Sequence, residues 1–274
     1  MKRGTLYIVP TPIGNLADFT IRAREVLASV DMIACEDTRH TKKLLNYYKI
    51  KKPLISYEKF SEASRVNEIM GMLEKGQDVA LVSDSGTPAI SDPGTILISR
   101  VRSEGIRVEA LPGPCAFITA ICASGFDGPF RFIGFFPRQK GLAKKEFLKI
   151  SLSQEMSVFY ESPARILKTL QSLSETLSER EICIAREISK IHEEYIIGSV
   201  HEVLAVINRT PPRGEIVVLV KGSSQRLDVD EDLLRQRAKK LIESGYTKKD
   251  ILRVLTEETL LSRNVLYRML IDIS

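Results

Sequence analysis

The chain has 274 residues, 43% of them hydrophobic and 27% charged, with 40 Lys and Arg against 35 Asp and Glu for a net charge of +5. This is globular composition, and it excludes a disordered, collagen-like or fibrous protein. The longest uncharged stretch, residues 110–126, is short and broken by Pro112, Gly113 and Pro114, so no membrane-spanning helix is expected. Pro10, Pro12 and Asn15 interrupt any signal-peptide core at the N-terminus, and the protein is expected in the cytoplasm.

Through the first 115 residues short apolar runs alternate with helix-period segments. Strands are predicted near 5–9, 31–35, 54–57, 79–83 and 107–111, and helices near 21–30, 41–48, 62–75 and 95–104. This βαβ rhythm predicts a parallel sheet. Thr20 and Ser61 stand where helix N-caps belong, and Gly76 where a helix stops. After Pro114 come a helix at 116–123 and strands near 131–136, 158–160, 182–186, 194–197 and 215–220, with helices at 142–150, 164–177 and 200–207, which predict a mixed sheet. From Ser223 no strand pattern follows; three helices near 230–243, 248–257 and 263–272 are expected, with Gly245 ending the first and Thr247 and Ser262 as N-caps. The fold class is therefore α/β, with two α/β domains (1–114 and 115–222), a cleft between them beside the 110–116 connection, and a helix-turn-helix-like extension at 228–274.

Cys35, Cys115, Cys122 and Cys183 form no Cys-x-x-Cys pair, and only three histidines could join them, so no metal site is expected. Cys35 and Cys183 lie in apolar strand-like runs and read as small core hydrophobes.

Ligands of an open parallel sheet collect at the strands' carboxyl ends, and three ends here carry Pro- and Gly-rich loops at 9–15, 83–94 and 111–116. Proline fixes φ and removes a donor, while glycine admits close approach to the backbone. No Gly-x-Gly-x-x-Gly or Gly-Lys-Ser/Thr loop occurs, so a phosphate cradle is not indicated. A ligand with adenine, ribose and a cationic centre suits these loops better. Asp84 and Asp92 either meet ribose hydroxyls or the positive centre, or cap turns through Asx geometry.

These loops, with Cys-Glu-Asp-Thr-Arg-His-Thr at 35–41, Phe-Tyr-Glu-Ser-Pro-Ala-Arg at 159–165, Arg-Glu-Ile-Ser-Lys-Ile-His-Glu-Glu at 186–194 and Pro-Arg-Gly-Glu-Ile-Val-Val at 212–218, resemble the tetrapyrrole methylase superfamily, and within it the branch acting on ribosomal RNA. The resemblance implies a homodimeric enzyme using S-adenosyl-L-methionine to methylate the ribose 2′-hydroxyl of a cytidine in the decoding region of small-subunit (16S) rRNA, with the assembled small subunit as partner. It further implies cofactor contacts from Pro12, Asp84, Ser85, Gly86, Thr87, Ile90, Ser91, Asp92, Pro112, Gly113, Ala116, Tyr160, Gly214 and Glu215. Where the tetrapyrrole enzymes read Gly-Asp-Pro this chain has Gly86-Thr87-Pro88, so no carboxylate role transfers to Thr87.

Methyl transfer to a hydroxyl needs in-line alignment and a group to take the proton. Glu161, Lys190 and Glu193 are the candidates, with His192 beside them. Lys190 would need a depressed pKa to act as a base; among Glu187, Glu193 and Glu194 it would instead stay charged and hold a phosphate or carboxylate.

Basic segments supply the expected RNA contacts: Arg39, Lys42 and Lys43; Arg138, Lys140, Lys144 and Lys145; and Lys239, Lys240, Lys248 and Lys249 in the tail. Phe132, Phe135 and Phe136 are candidates for base stacking, although alternation places at least one in the core. Two other readings stand beside this one: a methyltransferase acting on a small tetrapyrrole-like acceptor, and a non-catalytic ribosome-assembly factor.

Overall fold

Among the described residues, ten strands build two five-stranded sheets, one after the other along the chain. The computed structural model describes residues 2–58, 62–210, 212–223, 231–259 and 266–267. The first sheet is wholly parallel, in the order β3-β2-β4-β1-β5: β1 (Thr5–Ile8), β2 (Met32–Cys35), β3 (Leu54–Ser56), β4 (Val79–Val82) and β5 (Arg107–Ala110). Its central strands are buried on both faces, which explains their unbroken apolar sequence. Leu6, Ile8, Ala34 and Leu81 face α3 (Glu62–Glu74) and α4 (Thr95–Ser103), while Val9, Ile33, Cys35 and Val82 face α1 (Ile21–Ser29) and α2 (Thr38–Tyr47).

The second sheet is mixed, in the order β6-β7-β10-β8-β9. Its strands are β6 (Phe130–Phe135), β7 (Met156–Glu161), β8 (Glu181–Arg186), β9 (Glu194–Ser199) and β10 (Ile216–Val220), and only β6 and β7 run parallel. Phe117 and Ala120 of α5 (Ala116–Ser124) share a core with Val158, Cys183, Val217 and Leu219. α7 (Pro163–Leu177) and α8 (Val200–Arg209) bury Ile166, Leu170, Val203 and Ile207 and pack on each other. The parallel-then-mixed order read from the sequence is the order observed.

Local signals explain most boundaries. The Thr20 hydroxyl accepts from the Ala23 amide to start α1, and Ser199 with Glu202 forms a capping box on α8. α2 begins three residues before the predicted 41 because the Asp37 carboxylate accepts from the Arg39 amide and caps it there. Ser61, the expected cap of α3, and Ser262 with most of the 263–272 helix lie outside the described residues. Cys35 and Cys183 are fully buried, and burial pushes both thiols up to about 11.

Contacts divide the chain into two compact units, residues 1–138 with 155–221, and residues 139–154 with 222–274. Both sheets belong to the first. α6 (Lys140–Leu152), inside the expected 115–222 domain, groups with the tail helices α9 (Glu231–Glu243) and α10 (Lys248–Thr259). Leu234, Ala238 and Leu241 of α9 meet Ile251, Leu252 and Leu255 of α10 in a small core. Gly245 turns the chain at φ +83°, and the Thr247 hydroxyl accepts from the Asp250 amide at 3.2 Å, as an N-cap does.

Candidate active site

The sheet order makes neighbours of β4, β1 and β5, so the three Pro- and Gly-rich loops leave adjacent strand ends. Hydrogen bonds join them. The Thr11 amide donates to the Gly86 carbonyl at 2.9 Å, and the Gly86 amide returns a bond to Thr11 at 3.1 Å. The Thr11 hydroxyl donates to Ser83 O at 3.1 Å, and the Thr87 hydroxyl to Pro114 O at 2.9 Å. Thr87 thus ties two loops together.

Above these loops lies a cavity of about 370 Å³. One wall is Asp84, Ser85, Gly86, Thr87, Ile90, Ser91 and Asp92; Cys115 and Ala116 at the start of α5 line it too; Tyr160, Glu161, Gly214 and Glu215 form the wall from the second sheet. Eleven of the fourteen expected cofactor residues line it; Pro12, Pro112 and Gly113 do not.

 Pro12 instead lines a neighbouring hollow, while Pro112 and Gly113 are exposed, with Gly113 set so close to Pro10 that an added Cβ would come within 2.6 Å of it. The side chains of Ile13, Phe135, Ile188, Ile216 and Val217 also reach the cavity, and no sequence signal distinguishes such apolar lining from ordinary core.

Gly86 holds φ +80°, and a Cβ there would stand 3.3 Å from Ile13 and 3.6 Å from Pro114 O. The backbone therefore approaches the cavity where a side chain would fill it. Burial, then the charge of Asp84, raises the Asp92 carboxyl above its ordinary value. Glu36, at the end of β2, is raised by burial and then by Asp92 and Asp84. Asp84 itself accepts from the Asp37 amide at 3.2 Å. This side of the cavity is an acidic, partly desolvated surface suited to a cation. Glu36 lies within the 35–41 motif, but only the β2–β4 pairing brings it here.

The three catalytic candidates separate. Glu161 is 4% exposed, and both its oxygens are engaged: Oε1 accepts from the Ser162 amide at 2.8 Å, while Oε2 accepts from the Thr169 hydroxyl at 2.8 Å and pairs with Arg165 at 3.3 Å. It anchors the start of α7. Lys190 sits 3.0 Å from Glu187 and 3.4 Å from Glu215. Burial pulls its ammonium down, but the two carboxylates outweigh this and hold its pKa above the ordinary value. A depressed pKa, which a lysine base needs, is thus not what its surroundings produce, and it stays charged. Glu193 is exposed and accepts from the Ser189 amide within its own loop, and it does not line the cavity. Burial likewise raises the Tyr160 phenol, which remains neutral.

The phenylalanines also part company. Phe136 is 2% exposed, and Phe132 stacks on Phe117 at 4.1 Å between ring centroids. A register shift between Phe132 and Phe135, with Gly134 at φ +77°, turns Phe135 out to 68% exposure at the cavity, against Tyr160. Only Phe135 is free to meet a ligand.

The basic residues named from the sequence are all exposed. Arg39, Lys42, Lys43 and Arg138 belong to the first unit, with Arg39 paired to Asp37 at 3.2 Å. Lys140, Lys144, Lys145, Lys239, Lys240, Lys248 and Lys249 belong to the second. Among the described residues no helix is long and apolar enough to cross a membrane.

A parallel α/β sheet followed by a mixed one, with a cavity over the parallel strands' carboxyl ends, is the two-sheet methylase architecture. Solved structures share it: the methyltransferase CobJ covers 81% of this chain and 95% of its own at TM-score 0.60 and 20% identity. A uroporphyrin-III C-methyl transferase from Thermus thermophilus, complexed with S-adenosyl homocysteine, covers 80% and 97% at TM-score 0.56 and 14% identity. The model of the tetrapyrrole (corrin/porphyrin) methylases matches residues 5–204. Curated relatives called ribosomal RNA small subunit methyltransferase I are 42% identical over 98% of this chain and 93% of theirs in Bacillus subtilis (strain 168), and 47% identical over 80% and 99% in Thermotoga maritima. The chain belongs to the tetrapyrrole methylase family, and within it to the family of those ribosomal RNA small subunit methyltransferase I relatives.

Proposed function

We propose that this chain transfers the methyl group of S-adenosyl-L-methionine to the ribose 2′-hydroxyl of a cytidine in the decoding region of small-subunit rRNA. The observation that carries the reading is the cavity itself, in a chain 42% identical over 98% of its length to a relative named for methylating that RNA. Its volume lies within the range of about 300–1,000 Å³ usual for ligand sites, and its walls fit the cofactor. Gly86 admits close approach, Ile13, Ile90 and Phe135 offer apolar surface, and Asp84 and Asp92 face a cation. Asp84, Ser85, Gly86, Thr87, Ile90, Ser91, Asp92, Ala116, Tyr160, Gly214 and Glu215 would hold it, with Pro12, Pro112 and Gly113 shaping the loops.

When bound, the cofactor supplies an electrophilic methyl group on a sulfonium. The chain's own work is then alignment, exclusion of water, and removal of the hydroxyl proton. Asp84 and Glu215 line both the cavity and the adjoining hollow, so their carboxylates stand where a proton can be taken up. Lys190, charged beside Glu215, positions that carboxylate and offers a donor to the acceptor. Glu161 acts through the wall it anchors, and Glu193 through the 187–193 loop.

The same reading takes 1–114 and 115–222 as the catalytic domains and 228–274 as an RNA-binding extension. The Thermotoga maritima relative carries the same name as the longer ones although 99% of its length matches only 80% of this chain. A cytoplasmic homodimer acting on the assembled small subunit completes it.

The test is transfer of labelled methyl from S-adenosyl-L-methionine to small subunits lacking modifications, with mapping of 2′-O-methyl nucleotides. Label at one decoding-region cytidine is expected. Cofactor binding with no label in RNA overturns the reading and directs attention to small-molecule acceptors.

A further inference from the structure

Beside the cavity lies a second hollow of about 440 Å³, which shares Ile13, Asp84, Ser85 and Glu215 with it. A third, wider hollow of about 1010 Å³ shares Gly14, Leu16, Tyr47 and Lys190 with the second. The middle hollow thus adjoins both of the others, and all three are lined by residues of the first unit. An acceptor seated in the middle hollow therefore lies beside a methyl group held in the cavity.

The middle hollow has a definite chemical gradient. Its inner end carries the carboxylates Asp84 and Glu215; its outer rim carries His40, Lys43 and Tyr47. Those three lie at i, i+3 and i+7 along α2, on one helix face. The adjacent face buries Thr41, Leu44 and Leu45 in the core, so the rim is held rigidly. Tyr47 is 64% exposed, although large aromatics usually bury their rings. Its neighbour Tyr48 supports it edge-on, with centroids 5.0 Å apart, and is itself fixed by Phe19, by the Arg24 guanidinium over its ring, and by a hydroxyl bond to Leu16 O. Lys43 has no ion-pair partner among the described residues. An exposed aromatic on a rigid mount, flanked by a lysine and a histidine and leading to two carboxylates, matches a nucleotide: ring for base, cation for phosphate, carboxylates for ribose hydroxyls.

We propose that the middle hollow seats the acceptor nucleotide of a single-stranded RNA segment, with Tyr47 stacking on its base and Lys43 and His40 holding its phosphate. This rests on the rRNA-methylation reading and deepens it by naming the acceptor's seat. Tyr47 is a positioning residue here; the chemistry belongs to the groups at the inner end.

The experiment uses the full chain, unmodified small subunits and labelled S-adenosyl-L-methionine, and compares Tyr47→Ala, Tyr47→Phe and Lys43→Ala with the natural chain. Loss of one stacked base lowers kcat/KM for subunits by about ten- to hundred-fold in Tyr47→Ala. Tyr47→Phe keeps the ring and stays within about two-fold of the natural chain, because stacking needs only the aromatic face. Lys43→Ala raises KM and flattens its salt dependence. Cofactor affinity, measured by calorimetry without RNA, stays unchanged in all three. An active natural chain with an indifferent Tyr47→Ala overturns this proposal alone. So does a Tyr47→Phe as impaired as Tyr47→Ala, or loss of cofactor binding in either. A natural chain that binds cofactor and methylates no RNA overturns the underlying reading, and this one with it.

Discussion

Thr11 and Gly86 face each other beyond the carboxyl ends of β1 and β4 and exchange both backbone hydrogen bonds, which fixes two cavity loops as one unit. The bridge requires Gly86 at φ +80°, and the missing side chain leaves the cavity open beside Ile13.

Gly86→Ala is therefore expected to act twice. The left-handed backbone costs about 1 kcal/mol or more with a Cβ present, and the added methyl presses on Ile13. Thermal melts should show a modest loss of stability, and calorimetry a loss of cofactor affinity of about ten-fold or more. Unchanged cofactor affinity would show that the cofactor does not approach Gly86.

Glu161 offers a sharper contrast between an anchor and a base. Glu161→Gln keeps the shape but weakens the acceptor that serves the Ser162 amide, the Thr169 hydroxyl and Arg165. A charged hydrogen bond lost in a buried site costs about 1–3 kcal/mol, so the melting temperature should fall by several degrees while the pH dependence of kcat keeps its form. A general base would behave the other way, with full stability, negligible turnover and a lost acidic limb in the pH profile.

Much of this was legible beforehand, and the part that was not has a physical reason. The two sheets, most helices and the three unusual loops follow from local periodicity and from proline and glycine. Adjacency of those loops depends on strand order, which distant pairings decide, and no local pattern carries it. The anchoring of Glu161 was half within reach: Arg165 and Thr169 are four residues apart on one face of α7, but Glu161 meets them from the end of β7. Lys190 was only half legible, because Glu187 is three residues away in sequence while Glu215 arrives from the edge of β10. Tyr47 gave no sign of exposure, since α2's apolar face could equally have claimed it.

For Lys190, the sign of the pKa displacement decides its role. Its folded value lies above the ordinary 10.5, so the pairing stabilises the fold below about that pH and is lost as pH rises through the folded value. Glu187 is lowered, chiefly by its bond to Lys190, so its share is present above its ordinary 4.5 and lost as pH falls through the folded value. The pair therefore persists from about pH 5 to 10. No limb of the pH–rate profile between 6 and 9 should belong to Lys190. Lys190→Met should lower kcat by about ten-fold or more, as removal of a charged positioning donor does, and Lys190→Arg should restore part of it. Equal inactivity of both, with an ascending limb in the natural chain that each removes, would instead mark a neutral lysine acting as base.

Asp92 carries the opposite sign for an acid. Burial, then Asp84, raises its pKa above 3.8 in the folded chain, so its contribution to stability is present below 3.8 and is lost as pH rises through the folded value. At neutral pH the charged carboxylate opposes folding, with Asp84 and Glu36 on the same side of the cavity. Such strain is tolerable at a site that binds a cation. Asp92→Asn should accordingly melt a few degrees higher than the natural chain at pH 7, with the advantage vanishing below about pH 4. The same substitution should weaken binding of S-adenosyl-L-methionine more than that of S-adenosyl homocysteine, which lacks the sulfonium charge. Melting curves from pH 4 to 8 and calorimetry with both ligands check the two halves separately. A lower melting point at pH 7, or equal losses for both ligands, would mean that Asp92 serves the loop's shape and not its charge.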